Sequence, residues 1–130
     1  MKSISLLAYF VLALALTANA ESKNSLEGHW VMHLYLGTQL FDNQIHIESD
    51  PAGGIKGTIM VPNRFTVPLR NIRVVGEAIS FDIEADEGRG PFHVLYEGRM
   101  HANGKVFVGY ATITDNNTLL GGFVAQKKQN

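Results

Sequence analysis

The sequence predicts an all-β protein folded as an eight-stranded antiparallel up-and-down barrel. Beyond residue 27, apolar and polar residues alternate with a period of two, the pattern of half-buried strands. Turn-forming residues interrupt that alternation at short intervals, so consecutive strands are expected to form hairpins. Eight strands favour closure, since a barrel of this size is just filled by side chains or holds one small ligand. A two-sheet β-sandwich has the same pattern and stays the alternative.

The first half of this pattern predicts four strands. The first three span residues 28–36, 41–48 and 55–61. The turn between the second and third contains proline, which fixes φ, and glycine, which permits positive φ. Residues 65–75 are interpreted as one extended but broken strand. Pro68 cannot donate to a ladder, so it marks an edge, a bulge or a crossing between ladders.

The second half predicts four more strands, at about residues 79–84, 92–100, 106–110 and 120–124. The strongest hairpin signal is Asn103-Gly104, because both residues tolerate the positive φ of a type I′ turn. Several strands have interior glycines. We interpret them as structural, since glycine permits the bends and close backbone approaches of a narrow barrel, and the alternative is that they leave room for a ligand. These glycines are Gly57, Gly98, Gly109, Gly121 and Gly122.

The N-terminal twenty residues have the three parts of a secretory signal peptide. Lys2 supplies the positive start, residues 4–16 form the apolar core, and Ala18-Asn19-Ala20 matches a signal-peptidase site. The apolar run is too short to span a bilayer comfortably, so no stable membrane anchor is expected after cleavage. The prediction is a secreted or periplasmic protein with a flexible lead-in over residues 21–27 and one domain over residues 28–130.

The composition limits the classes of partner. Removal of Lys2 leaves 10 Lys and Arg against 12 Asp and Glu, a net charge of −2. This balance predicts no attraction to nucleic acid or to anionic lipid. The chain has no cysteine, so an exported domain of this size must be stable without disulfides.

Two short motifs resemble known barrels. Gly28-His29-Trp30 resembles the G-x-W signature of the calycin superfamily, which includes lipocalins, fatty-acid-binding proteins, avidins and certain bacterial protease inhibitors. The stretch from Gly53 to Thr58 is similar to the third strand of avidins. The resemblance implies an eight-stranded barrel that binds a small molecule or a protein.

The chain also departs from these families. Lipocalins and fatty-acid-binding proteins generally pair the signature tryptophan with an arginine near the end of the barrel, where this chain offers Lys127 and Lys128. Avidins line the biotin site with several tryptophans, and this chain has only Trp30. Biotin is therefore not an expected ligand. In size and plan the chain is similar to short exported barrels that inhibit bacterial secreted proteases, although those barrels have a disulfide.

The chemistry-bearing residues predict neither a metal site nor an enzyme. His29 and His33 would lie about 13 Å apart on a strand, too far to share an ion. The acidic run of residues 82–88 lacks the spacing of a calcium loop. No nucleophile elbow, phosphate loop or triad motif is present. A basic cluster of Arg64, Arg70 and Arg73 is expected to be solvated or to contact a carboxylate or a protein partner.

Two functions are expected, and no cofactor for either. The first is a carrier of a small apolar molecule, with Trp30 closing the far end of the barrel and a cavity at the open end. The candidate ligand contacts are inward-facing: Trp30, Met32, Phe81, Tyr96 and Tyr110, with Val124 among the same inward set. The alternative is a protein-binding barrel, such as an inhibitor of a secreted or periplasmic enzyme. It would use the lead-in or the loops at residues 62–64 and 87–91.

Overall fold

The computed structural model describes residues 26–129, which form nine strands and one short 3-10 turn, Ala102–Gly104. The predicted signal peptide and most of the predicted lead-in lie outside the described residues. The strands are β1 Gly28–Leu36, β2 Gln39–Ser49, β3 Ile55–Val61, β4 Phe65–Pro68, β5 Arg70–Val75, β6 Ala78–Asp86, β7 Pro91–His101, β8 Val106–Ile113 and β9 Thr118–Lys127.

All nine strands belong to one antiparallel sheet, in the order β4-β3-β2-β1-β9-β8-β7-β6-β5. Each strand pairs with its neighbour in sequence, except that β1 also pairs with β9 and that β4 does not pair with β5. Pairing of the first and last strands curls the sheet into a nearly closed up-and-down barrel. The all-β antiparallel prediction is confirmed, and the single sheet excludes the β-sandwich.

The count of eight strands was wrong, because the fourth predicted strand is split. β4 pairs with β3, whereas β5 pairs with β6. At the joint, Leu69 N donates to Gly57 O at 2.8 Å, and Pro68 has no N–H to donate. Asn71 then takes a positive φ of 53°, and the register shifts between Arg70 and Arg73. The chain thus crosses from one ladder to the other, one of the three outcomes expected for Pro68.

One end of the barrel is packed shut around Trp30. The indole Nε1 donates to Leu26 O at 2.9 Å, and both side chains are fully buried. Phe107 packs edge-on against the indole with ring centroids 4.9 Å apart. On β9, Lys127 places its Nζ 5.6 Å from the centroid of the indole ring. Leu26 therefore belongs to the core, although the sequence placed it in a flexible lead-in.

A chain of aromatic contacts runs from this closed end toward the middle of the barrel. Phe107 contacts Phe123, with centroids 5.7 Å apart, and Phe123 contacts Tyr96 at 5.9 Å. Tyr96 in turn stacks on Phe81 at 5.0 Å. We call these rings, with Trp30, the aromatic column. Offset and edge-on pairs of this kind add stability beyond the apolar area that they bury.

Two residues predicted to face inward face outward. Tyr110 is 63% exposed, and Val124 is half-buried between the buried Phe123 and Ala125. β8 and β9 have apolar residues on both faces, so alternation alone does not identify the inner one. In β8 the inner face has the small and aromatic residues, Phe107 among them, and the outer face has valines and Tyr110.

Candidate functional site

The other half of the barrel is hollow. A partly open cavity of about 270 Å³ lies among the ends of β1, β3, β6 and β8 and the beginnings of β2, β4, β7 and β9. Its wall is mainly aliphatic and aromatic. The lining residues are Leu34, Leu36, Phe41, Asn43, Val61, Arg64, Phe65, Glu87, Phe92, Val94, Tyr96, Ile113 and Leu120.

Of the five predicted ligand contacts, Tyr96 alone lines this cavity. Trp30, Met32 and Phe81 are buried in the packed half, below the cavity. Tyr110 lies on the outer surface. That any of them contacts a ligand stays a prediction, and Tyr96 is the one whose position permits it in this structure.

Tyr96 links the aromatic column to the cavity. Its ring is held by Phe81 and Phe123, and the residue is 3% exposed. Burial raises the pKa of its phenol to about 12, an effect that the positive charge of Arg64 partly offsets. The hydroxyl is therefore uncharged at neutral pH. Tyr96 lines the cavity, and a phenol hydroxyl can both donate and accept a hydrogen bond there.

Asn43 is the polar group that the sequence reasoning missed. It is 1% exposed in β2, on the same face as Phe41 and Ile45, and its Oδ1 has no hydrogen-bond partner among the described residues. A buried amide without a partner costs free energy, because it gives up its bonds to water. The signal was present in the alternation, where Asn43 interrupts an otherwise apolar face.

The mouth of the cavity is bridged by an ion pair. Arg64, in the turn between β3 and β4, donates from Nε to Glu87 Oε1 at 2.5 Å and from a terminal guanidinium nitrogen to Oε2 at 2.6 Å. Glu87 lies in the loop between β6 and β7. The pair raises the pKa of Arg64 and lowers that of Glu87, with the side-chain hydrogen bond as the main cause. We call this pair the latch.

The latch also accounts for charged residues that the sequence left unassigned. Arg64 belongs to the predicted basic cluster and Glu87 to the acidic run, and the fold brings the two together. Arg70 of the same cluster pairs with Glu84 at 3.1 Å and Asp82 at 3.7 Å. Two of the three arginines, Arg64 and Arg70, therefore contact carboxylates within the chain.

A bulge in β9 shapes the remaining wall. The pairing of β8 with β9 shifts register between Ala111 and Thr112, which leaves Leu120 without a partner residue. Leu120 lines the cavity, whereas its neighbour Leu119 is 61% exposed. A bulge can re-aim a side chain in this way, and bulges often lie beside binding sites.

The histidines form separate surface pairs. The rings of His29 and His46 lie 4.3 Å apart, His33 Nδ1 is 2.6 Å from Asp42, and His93 Nδ1 is 2.8 Å from Asp115. In residues 26–129, no three side chains of His, Cys, Asp or Glu lie close enough to hold a metal ion.

No helix in the described part of the chain is long and apolar enough to cross a membrane.

Fold and site together define a nearly closed antiparallel β-barrel, packed at one end and hollow at the other, with one buried amide and one buried phenol in the hollow half. No family model, curated protein or solved structure matches the chain.

Proposed function

We propose that this protein is an exported, calycin-like binding protein that carries a small, mostly apolar molecule in the hollow half of its barrel. The observation that carries the proposal is the cavity of about 270 Å³ with its largely apolar wall. Ligand sites are typically concave, apolar and furnished with a few polar groups. Asn43, Tyr96 and the latch are such groups.

The size of the cavity limits the ligand. An apolar cavity of about 150 Å³ in another protein is large enough to bind benzene. The present volume therefore suits a molecule with about ten carbon atoms, such as two fused rings or a short branched chain. Long-chain lipids would extend beyond the mouth.

The packed end supports the calycin-like part of the proposal. In lipocalins and fatty-acid-binding proteins the G-x-W tryptophan is generally paired with an arginine near the end of the barrel, and a lysine stands in that place in this chain. Here Lys127 of the last strand lies over the face of Trp30, an arrangement that favours a cation. The same indole anchors Leu26 through its N–H, so the basic residue and the N-terminal segment close the same end.

The test is native against denaturing mass spectrometry of the protein purified gently from the organism that makes it. We expect an added mass of small-molecule size that is lost on denaturation. The matched control is Val94→Phe, which adds volume to a buried wall residue and is expected to remove that mass. A bare wild-type protein that also binds none of the small aromatic compounds described below would contradict the proposal.

A second candidate, binding of a protein partner, is favoured by an exposed apolar patch on the outer face. Tyr35 and Tyr110 are 50% and 63% exposed on the strands that flank β9, where Gly122, the partner of Tyr110, has no side chain. Leu40 lies opposite Tyr35 and is exposed as well. Exposed patches of this kind often mark interaction sites.

This candidate predicts that a specific partner depends on the two tyrosines. The double change Tyr35→Ser with Tyr110→Ser should remove the partner in affinity capture, whereas Arg99→Ser, an exposed change on the outer face of β7, should retain it. A protein captured equally by all three forms would argue against a docking role for this patch.

A further inference from the structure

We infer that the cavity selects an uncharged molecule with one hydroxyl or amide head group, which hydrogen-bonds to Asn43 and Tyr96, and that it rejects carboxylates. The inference rests on the proposed function, because it specifies the chemical class of the carried molecule.

The cavity wall has one positive and one negative charge. Arg64 and Glu87 are the charged residues of its wall. They neutralise each other through two parallel hydrogen bonds of 2.5 and 2.6 Å. A ligand carboxylate would have to break that bidentate pair, or be buried without a counter-charge, and both are costly. A ligand cation would meet the same obstacle at Glu87. The wall therefore favours neutral molecules.

Two polar groups lie in the cavity wall below the latch. Asn43 is almost fully buried, and its Oδ1 has no partner within residues 26–129. Tyr96 presents a neutral hydroxyl at the same cavity. An amide offers a donor and an acceptor, and a phenol can act as either. A ligand hydroxyl, which also donates and accepts, matches the hydrogen-bonding capacity of both groups.

The unpaired Oδ1 of Asn43 has a free-energy cost that such a head group would remove. Asn43 lies on a strand face where its neighbours on either side, Phe41 and Ile45, are apolar. Burying its carbonyl oxygen without a partner costs the hydrogen bonds that the oxygen would make to water. A ligand that donates a hydrogen bond to Asn43 Oδ1 binds more tightly than an apolar analogue. That difference in affinity makes the cavity selective.

The experiment compares three compounds that share one ring system: naphthalene, naphthol and naphthoate, at neutral pH. Their affinities are measured by calorimetry for wild type, Asn43→Leu and Glu87→Gln, with Val94→Phe as the control for filling the cavity. In wild type we expect naphthol to bind about three- to tenfold tighter than naphthalene, the worth of one net hydrogen bond. Naphthoate should bind at least about tenfold more weakly than naphthol.

One variant tests the preference for a hydroxyl head group, and the other tests the rejection of carboxylates. Asn43→Leu should remove the preference for naphthol while naphthalene still binds. Glu87→Gln frees Arg64 from its partner at the rim without changing the core, so naphthoate should gain about tenfold in affinity. This second variant keeps the test decisive even if the core substitution fails to fold.

The outcomes separate the inference from the function on which it rests. Equal affinity for the three compounds in wild type, or the tightest binding for naphthoate, overturns the inference and leaves a carrier of apolar molecules. The inference is equally overturned if Asn43→Leu keeps the naphthol preference. If none of the compounds binds wild type, both the inference and the proposed function fail.

Discussion

Asn43 places a polar amide where packing alone would favour a hydrocarbon. We therefore predict that Asn43→Leu, which keeps the branching and the number of side-chain heavy atoms, raises the free energy of unfolding of the ligand-free protein by about 1–2 kcal/mol. The gain comes from removing a buried amide oxygen that has no hydrogen-bond partner. Urea unfolding of both forms measures it. Ile45→Asn, on the same face of β2, is the converse change and should destabilise. A less stable Asn43→Leu protein would mean that the amide has a structural role.

Tyr96 gives a second prediction at the residue scale, on alkaline stability. Its pKa is raised from 10 to about 12 in the folded state, so the folded protein holds the phenolic proton more tightly than the unfolded chain. Stability from this group is complete below pH 10 and is lost as the pH rises to about 12. The expected loss is about 3 kcal/mol.

The measurement is the free energy of unfolding as a function of alkaline pH. Tyr96→Phe should lack this loss, whereas Tyr110→Phe, a change at an exposed site, should keep it. Identical alkaline slopes for wild type and Tyr96→Phe would show that burial of this phenol does not govern the transition.

At the scale of strands, two glycines in neighbouring positions have opposite roles. A Cβ on Gly109 would overlap the backbone of Glu97 on the adjacent strand, whereas a Cβ on Gly122 would meet only Gly109 O at 3.7 Å. We predict that Gly109→Ala destabilises by more than about 3 kcal/mol, because backbone must move. Gly122→Ala should change stability by less than about 1 kcal/mol, or increase it. Thermal unfolding of the two variants compares them, and equal effects would contradict the close approach.

The latch acts between two loops, and its strength depends on pH. Arg64 lowers the pKa of Glu87, so the pair is intact above the ordinary glutamate range and is lost as the pH falls through the lowered pKa. We predict that naphthol dissociates faster as the pH falls through that range. Stopped-flow release measures the rate constant. In Glu87→Gln it should be high at every pH, and a wild-type rate that does not vary would exclude gating by the latch.

Turn residues and apolar alternation predicted most strands. They failed where the local sequence is compatible with two conformations. Asn103-Gly104 and the glycine turns determine where hairpins form, because few residues tolerate positive φ. The two-sided apolar pattern of β8 gave no such signal, so the outward direction of Tyr110 could not be predicted. Pro68 indicated an irregularity in the strand. It did not specify that the chain would leave the pairing with β3 and begin to pair with β6.

The candidate site was less predictable than the fold. A cavity is space that side chains fail to fill, and that depends on how eight strand ends converge. Tyr96 was predicted because a buried phenol needs a partner. Asn43 could have been found from its place on an apolar face. Arg64 and Glu87 are 23 positions apart in sequence, and no local pattern connects them.

At the scale of the whole molecule, the barrel has a packed half, a hollow half and one incomplete seam. β4 and β5 each pair with a single neighbour and do not pair with each other. Backbone amides in weakly paired segments open at lower free energy than those in the core. We predict that residues 65–75 exchange hydrogen faster than β1 and β9, which pair on both sides.

Hydrogen exchange followed by mass spectrometry tests this gradient. Bound naphthol should slow exchange most at the strand ends around the cavity. Amides of the packed end that exchange only through global unfolding should slow by no more than the overall stabilisation that binding supplies. Equal added protection at the cavity and at the packed end would mean that the ligand has no local effect on the strand ends.

The packed end gives the protein an internal reporter. Trp30 is the single tryptophan of the chain, and it is fully buried among Leu26, Phe107 and Lys127. Trp30 does not line the cavity. Its emission should therefore change when the protein unfolds and should not change when a ligand enters the cavity. A ligand would therefore be detected by the denaturant concentration at which the emission changes, since ligand binding to the folded state raises stability by mass action. The chain thus contains an intrinsic fluorescent probe of its own unfolding, separate from the candidate binding site.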